Sequence, residues 1–220
     1  MGTLLLLSFA IQLTQLSAGE MDAFYRTSGF ARRAYRGTDG RSMPYRLFIP
    51  ARYDETQKYP LVLWLHGIGG MGLDNQSQLM GDQVDGVSVW TKTQNQREHP
   101  AFIVAPQSGS RWDDTGNTNV SSLLVLPPRA ELSEQLRQVI NIIESLQSEF
   151  SIDSKRIYVV GQSIGGFGAW NLITKRPDYF AAAIIVSGGG DPTLAADARN
   201  TPVWAFQGAT DSVFLESNRG

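Results

Sequence analysis

The sequence predicts an α/β domain: a doubly wound, mostly parallel sheet with helices on both faces, entered through an antiparallel hairpin. Three observations predict it. Residues 60–66 (PLVLWLH) and 101–105 (AFIVA) are apolar almost without interruption, which suits strands buried on both faces. Such runs alternate with helical periodicity, the order of βαβ units. Each run stops at a chain-turning residue: Gly67, Pro106, then Gly188 and Gly208. With 220 residues, 42% of them hydrophobic and 18% charged, the chain is long and apolar enough for one sizeable core.

Residues 1–19 carry no charge, and 4–11 are apolar apart from Ser8. Small residues follow at Ser17, Ala18 and Gly19. This is the pattern of an export signal peptide, too short to span a bilayer, and it predicts a secreted or periplasmic protein. If Met21 is the true first residue, the expectation becomes cytoplasmic. The folded domain is expected over residues 28–220.

Residues 30–35 and 44–49 read as two strands joined by the turn Gly37-Thr38-Asp39-Gly40. Arginines crowd this region at 32, 33, 36, 41 and 46, alternating with Phe30, Ala34, Tyr35, Tyr45, Leu47 and Phe48. That alternation describes strands with one wet face rather than a nucleic-acid patch, and a net charge of -2 agrees. Residues 71–99 and 107–126 are polar and read as long surface loops of the kind that carry function. Trp90 and Trp112 within them are candidates to line a substrate pocket.

Across residues 128–150, Leu132, Leu136, Val139, Ile140, Ile143, Leu146 and Phe150 recur at three- and four-residue spacing, an amphipathic helix. A strand at 156–160 leads into a helix ending near Lys175. Strands at 181–186 and 202–206 complete the series. There is no repeat and no interdomain linker, and nothing after residue 20 approaches transmembrane length.

The chemistry centres on Gly161-Gln162-Ser163-Ile164-Gly165, a G-x-S-x-G string placed directly between a strand and a helix. A nucleophile on so sharp a turn needs neighbours without Cβ atoms, which Gly161, Gly165 and Gly166 supply. A glycine-rich phosphate turn is the alternative, but no G-x-G-x-x-G or Lys-Ser/Thr signature follows. Ser163 is therefore the candidate nucleophile, at the carboxyl end of the sheet. An oxyanion there needs two donors. The N–H of Ile164, at the helix amino end, is one; the N–H of Ile68, in the glycine-rich loop after residue 66, is the other.

The segments LWLHGIGGMGLDN, VVGQSIGGFGAW, RPDYFAAAIIVSGGGDP and PVWAFQGATDSV together resemble the α/β-hydrolase superfamily. Within it they resemble the phospholipase/carboxylesterase and dienelactone-hydrolase-like group, including exported esterases. The resemblance runs from about residue 28 to the end. It implies a carboxylesterase with Ser163 as nucleophile and Asp211 as the acid, acting on a small-molecule or polymer-linked ester without metal or organic cofactor. Gln207 stands where that group usually has a histidine, though not the catalytic one. From the residues alone, Asp211 follows a strand on the Ser163 edge, and Asp191 is a rival acid whose Asp-Pro pairing also fits an ordinary turn.

With no cysteine, the chain excludes disulfides, thiolate metal sites and a cysteine nucleophile. Its two histidines, His66 and His99, create a difficulty. Hydrolases of this fold order their triad Ser, acid, His, and no histidine follows Asp211. His66 belongs to the oxyanion strand, and His99 precedes its strand at the opposite edge. The expectation is a chain lacking its last helix and strand, about 30 residues at usual element lengths. The alternatives are a non-catalytic binding protein on a hydrolase scaffold, or a peptidase using the same triad.

Overall fold

A computed structural model describes residues 29–38, 40–113 and 131–211. The export pattern at residues 1–19, the start of the helix expected from 128, and most of the loop expected over 107–126 lie outside the described residues.

The apolar runs are strands. In chain order these are β1 (Ala31–Arg36), β2 (Ser42–Phe48), β3 (Tyr59–Leu65), β4 (Phe102–Pro106), β5 (Ile152–Gln162), β6 (Ala182–Val186) and β7 (Val203–Phe206). They form one sheet in the order β1-β2-β4-β3-β5-β6-β7. β1 and β2 make the expected antiparallel hairpin, β2 runs antiparallel to β4, and β4, β3, β5, β6 and β7 are mutually parallel. The carboxyl ends of the five parallel strands therefore share one edge.

Both faces of the central strands are buried, as continuous apolar runs require. On one face Leu61, Leu63 and Leu65 of β3 pack with Val104, Val159 and Ile185 beneath two helices, α3 (Glu134–Glu149) and α4 (Ile164–Lys175). In α3 the stripe Leu136, Val139, Ile140, Ile143 and Leu146 is buried, and the Ser133 hydroxyl caps the helix by accepting the Leu136 N–H at 3.2 Å.

The other face differs from expectation. Residues 71–99 are not a simple loop: they contain 3₁₀ turns and two short helices, α1 (Val84–Ser88) and α2 (Thr93–Glu98). Leu79, Val87 and Trp90 from this stretch pack on Val62, Trp64, Ile103 and Val160. Glycine makes the approach possible, since a Cβ on Gly86 would lie 2.1 Å from the Trp64 ring. The apolar positions here are too few and too interrupted by Gly, Gln and Asp to register as a helical period.

Candidate active site

The site grows from the turn between β5 and α4. Ser163 has φ 54° and ψ −121°, a backbone state that costs a residue with a side chain about 1–3 kcal/mol. Neighbouring strands hold it there. The Ser163 N–H donates to the Val186 carbonyl at 2.8 Å, and the Ser163 carbonyl accepts from the N–H of Gly166 at 2.8 Å. The glycines are steric necessities. A Cβ on Gly161 would lie 2.1 Å from the Gly165 carbonyl oxygen, and one on Gly165 would lie 2.0 Å from the Leu65 carbonyl oxygen.

The loop after β3 forms the opposite wall. A Cβ on Gly67 would be 3.5 Å from the Ser163 Cβ, so the backbone at residue 67 passes directly beside the candidate nucleophile. Its amide is spoken for: the Gly67 N–H donates to Gln83 Oε1 at 2.7 Å. Its carbonyl accepts from the Gly70 N–H at 3.0 Å and lies 2.8 Å from His66 Nδ1. The next amide, on Ile68, makes no hydrogen bond with the described residues, and neither does that of Ile164 at the start of α4. Two unengaged N–H groups, on the loop beside Ser163 and on the residue after it, are what an oxyanion requires. The α4 dipole favours negative charge at the second.

His66 is fully buried. Its Nε2 accepts the Ser108 N–H at 3.1 Å, which places the ring proton on Nδ1, where it bonds the Gly67 carbonyl. Burial lowers its pKa from the usual 6.5 to about 4. Both nitrogens are engaged, so His66 braces the loop and has no lone pair to offer Ser163. His99 is exposed, closing α2 before β4 begins, at the amino edge of the parallel strands.

On the acid side, Asp211 follows β7 on the carboxyl edge, its N–H donating to the Gly208 carbonyl at 3.2 Å. Gln207 Nε2 donates to Asp211 Oδ2 at 2.7 Å. The rival, Asp191, accepts the N–H and hydroxyl of Thr193 on Oδ1 and caps the 3₁₀ turn Pro192–Ala198. That is the ordinary turn role its Asp-Pro sequence allowed.

Trp112 requires correction. Expected at the substrate pocket, it is fully buried in the main core, packs against the His66 ring at 4.7 Å between centroids with the planes tilted by 52°, and donates its indole N–H to the His66 carbonyl at 3.0 Å. An amphipathic ring with an N–H partner inside is a core anchor. Trp90 lines a 620 Å³ groove whose walls include Tyr59, Pro100 and Ala182, away from Ser163. On the carboxyl edge, a 530 Å³ cleft is lined by Leu73, Ser108, Ser110 and Gln135 among others, and the buried Gln135 Oε1 has no partner among the described residues. Gln83, Gln107 and this cleft carried no readable motif. No group of three or more acidic or histidine side chains among the described residues is placed to hold a metal ion.

The Esterase family model, described as "Putative esterase", matches residues 37–219. The chain belongs to that family, a carboxylesterase family of the α/β-hydrolase superfamily. It is similar to a "Probable feruloyl esterase C" of Aspergillus terreus, 27% identical over 79% of this chain and 61% of the relative. It is also similar to a bifunctional acetylxylan esterase/xylanase of Neocallimastix patriciarum, 23% identical over 81% of this chain and 23% of that one. Among solved structures, a thermostable esterase superposes with a TM-score of 0.77 at 35% identity, covering 86% of this chain and 49% of that chain. The chain thus spans about three fifths of the fungal relative's length and half of the thermostable esterase's. No helix of the described residues is long and apolar enough to cross a membrane.

Proposed function

We propose that the protein hydrolyses carboxylic esters through an acyl-enzyme. Ser163 Oγ attacks the ester carbonyl while a general base takes its proton. The Ile68 and Ile164 N–H groups receive the negative charge on the former carbonyl oxygen. Collapse of the tetrahedral intermediate breaks the bond to the alcohol, which leaves with the proton returned by the base. Water then repeats the sequence and frees the acid. Asp211 is the acid that orients the base. Neither His66, with both ring nitrogens engaged, nor His99, at the far edge, fills the base's place.

One observation supports this reading: Ser163 stands in left-handed backbone beside two amides that have no partner among the described residues. A purely structural turn would gain from glycine at position 163 and from bonding those amides. The names of the relatives suggest the substrate class, feruloyl esters or acetylated xylan, and the carboxyl-edge cleft that the exposed Leu73 lines is where the acyl or alcohol portion rests. Residues 1–19 act as an export signal in this proposal.

Treatment with a fluorophosphonate, followed by mass spectrometry of the peptide spanning residues 156–175, tests it. Modification should fall on Ser163 alone, proceed slowly, accelerate with added imidazole as an external base, and vanish in Ser163→Ala. Label that survives in Ser163→Ala overturns the assignment.

A further inference from the structure

The Ile68 amide can serve an oxyanion only if its loop is held still beside Ser163. The residue that holds it comes from a segment with no catalytic motif. Gln83, fully buried, reaches back sixteen positions to accept the Gly67 N–H on Oε1 at 2.7 Å. Its other amide atom, Nε2, donates to Asp82 Oδ1 at 2.7 Å. The fit is close on both sides of Ile68. A Cβ on Gly67 would come within 3.3 Å of Gln83 Nε2, and one on Gly69 within 2.9 Å of Asp82 Oδ1. The Asp82–Gln83 pair therefore lies along the backbone of residues 67–69, on a loop whose first residue abuts the nucleophile.

We infer that Gln83, oriented by Asp82, is a positioning residue for the oxyanion loop; the inference rests on the proposed role of the Ile68 amide. The chemistry favours a carboxamide here. The position must present an acceptor to Gly67 and a donor to Asp82 at once, which one carboxamide does. Engaging the Gly67 N–H also removes a competing donor, so that the first open amide along the loop is that of Ile68. A buried hydrogen bond of this kind contributes only about 1 kcal/mol to stability. Its effect on an oxyanion is larger, because removing one donor slows acyl transfer about 100- to 1,000-fold, and misaiming one donor costs part of that factor.

The test uses two variants of the whole chain. Gln83→Met keeps the volume but removes both hydrogen bonds. Asp82→Asn with Gln83→Glu reverses the polarity of the pair while restoring an acceptor for the Gly67 N–H. The expected result is a 10- to 100-fold slower phosphonylation of Ser163 in Gln83→Met, with the double variant returning to within a few-fold of wild type. The melting temperatures should not follow that order. Hydrogen exchange at the Gly67 amide should accelerate in Gln83→Met and be protected again in the double variant. A Gln83→Met protein that is labelled within twofold of wild type, while Ser163→Ala abolishes label, overturns the role of Gln83 alone. If Ser163→Ala leaves labelling unchanged, the nucleophile reading fails and this inference falls with it. In that case faster exchange at Gly67 still records the hydrogen bond as structural only.

Discussion

Two turns at the same edge of the sheet are built in opposite ways. The turn after β5 sits among backbone atoms at packing distance, and Ser163, the proposed nucleophile, lies beside a loop whose carbonyls and amides are bonded by His66, Gln83 and Gly70. Among the described residues, the turn after β7 is packed less closely. All four β7 residues are exposed, with Trp204 at 65%, and Gln207 Nε2 donates to Asp211 Oδ2 at 2.7 Å. The half of the site proposed to attack and to stabilise charge is thus held by the core, while Asp211, the proposed acid, follows the last strand of the described sheet. Preorganisation matters most where charge develops, because donors already aimed need no reorganisation during reaction.

The same substitution at both turns should break this contrast if it is wrong. Gly165→Ala places a Cβ 2.0 Å from a backbone carbonyl that cannot move without disturbing β3. The expected loss is on the order of 4 kcal/mol in denaturant unfolding, among the largest single-residue effects. A loss below about 1 kcal/mol would mean the turn relaxes easily and the elbow is not rigid.

Acid should discriminate next. His66 has its folded pKa lowered to about 4 from 6.5, so the unfolded chain binds a proton that the native one refuses. Stability is therefore full above pH 6.5 and falls as the pH drops to 4, by on the order of 3 kcal/mol at 1.36 kcal/mol per unit. Asp74 extends the decline. Burial opposes its charge, but hydrogen bonds from Ser77, Gln107 and Gln76 outweigh that and hold it down to about 2. Its contribution is lost only below its unfolded value of 3.8. Urea melts at pH 7, 5.5 and 4.5 measure the first window, and His66→Gln should flatten it.

The smallest effect is expected at Gly208→Ala. The nearest atom a Cβ would meet is the Asp211 Cβ at 3.6 Å, an ordinary contact. Unfolding should shift by less than about 0.5 kcal/mol. A shift as large as that at Gly165 would show that the turn carrying Asp211 belongs to the rigid core after all.

Much of this architecture was legible before any coordinates. Uninterrupted apolar runs announced strands buried on both faces, and they lie within a residue or two of where they were expected, except that β5 begins at Ile152 rather than 156. The sheet class followed from these runs, while the kinship to α/β-hydrolase esterases came from the resemblance of four segments, the elbow among them, and the family that matches is Esterase. Trp112 was misread because a tryptophan in a polar stretch looks the same whether it faces solvent or turns inward to pack against His66. Residues 71–99 were misread because their covering role depends on three scattered residues, Leu79, Val87 and Trp90, rather than on a period.

By itself, the sequence determined which segments are strands, where the chain must turn without a Cβ, and that Ser163 sits between strand and helix, because these depend on neighbours a few residues away. Only the tertiary structure decided that His66 is a brace with both nitrogens engaged, that Gln83 grips Gly67, that Asp191 is a cap, and that Trp112 is a core anchor. Each of those depends on atoms brought together from distant positions in the chain. Hydrogen-bond direction and burial at such meetings leave no periodic trace in the sequence.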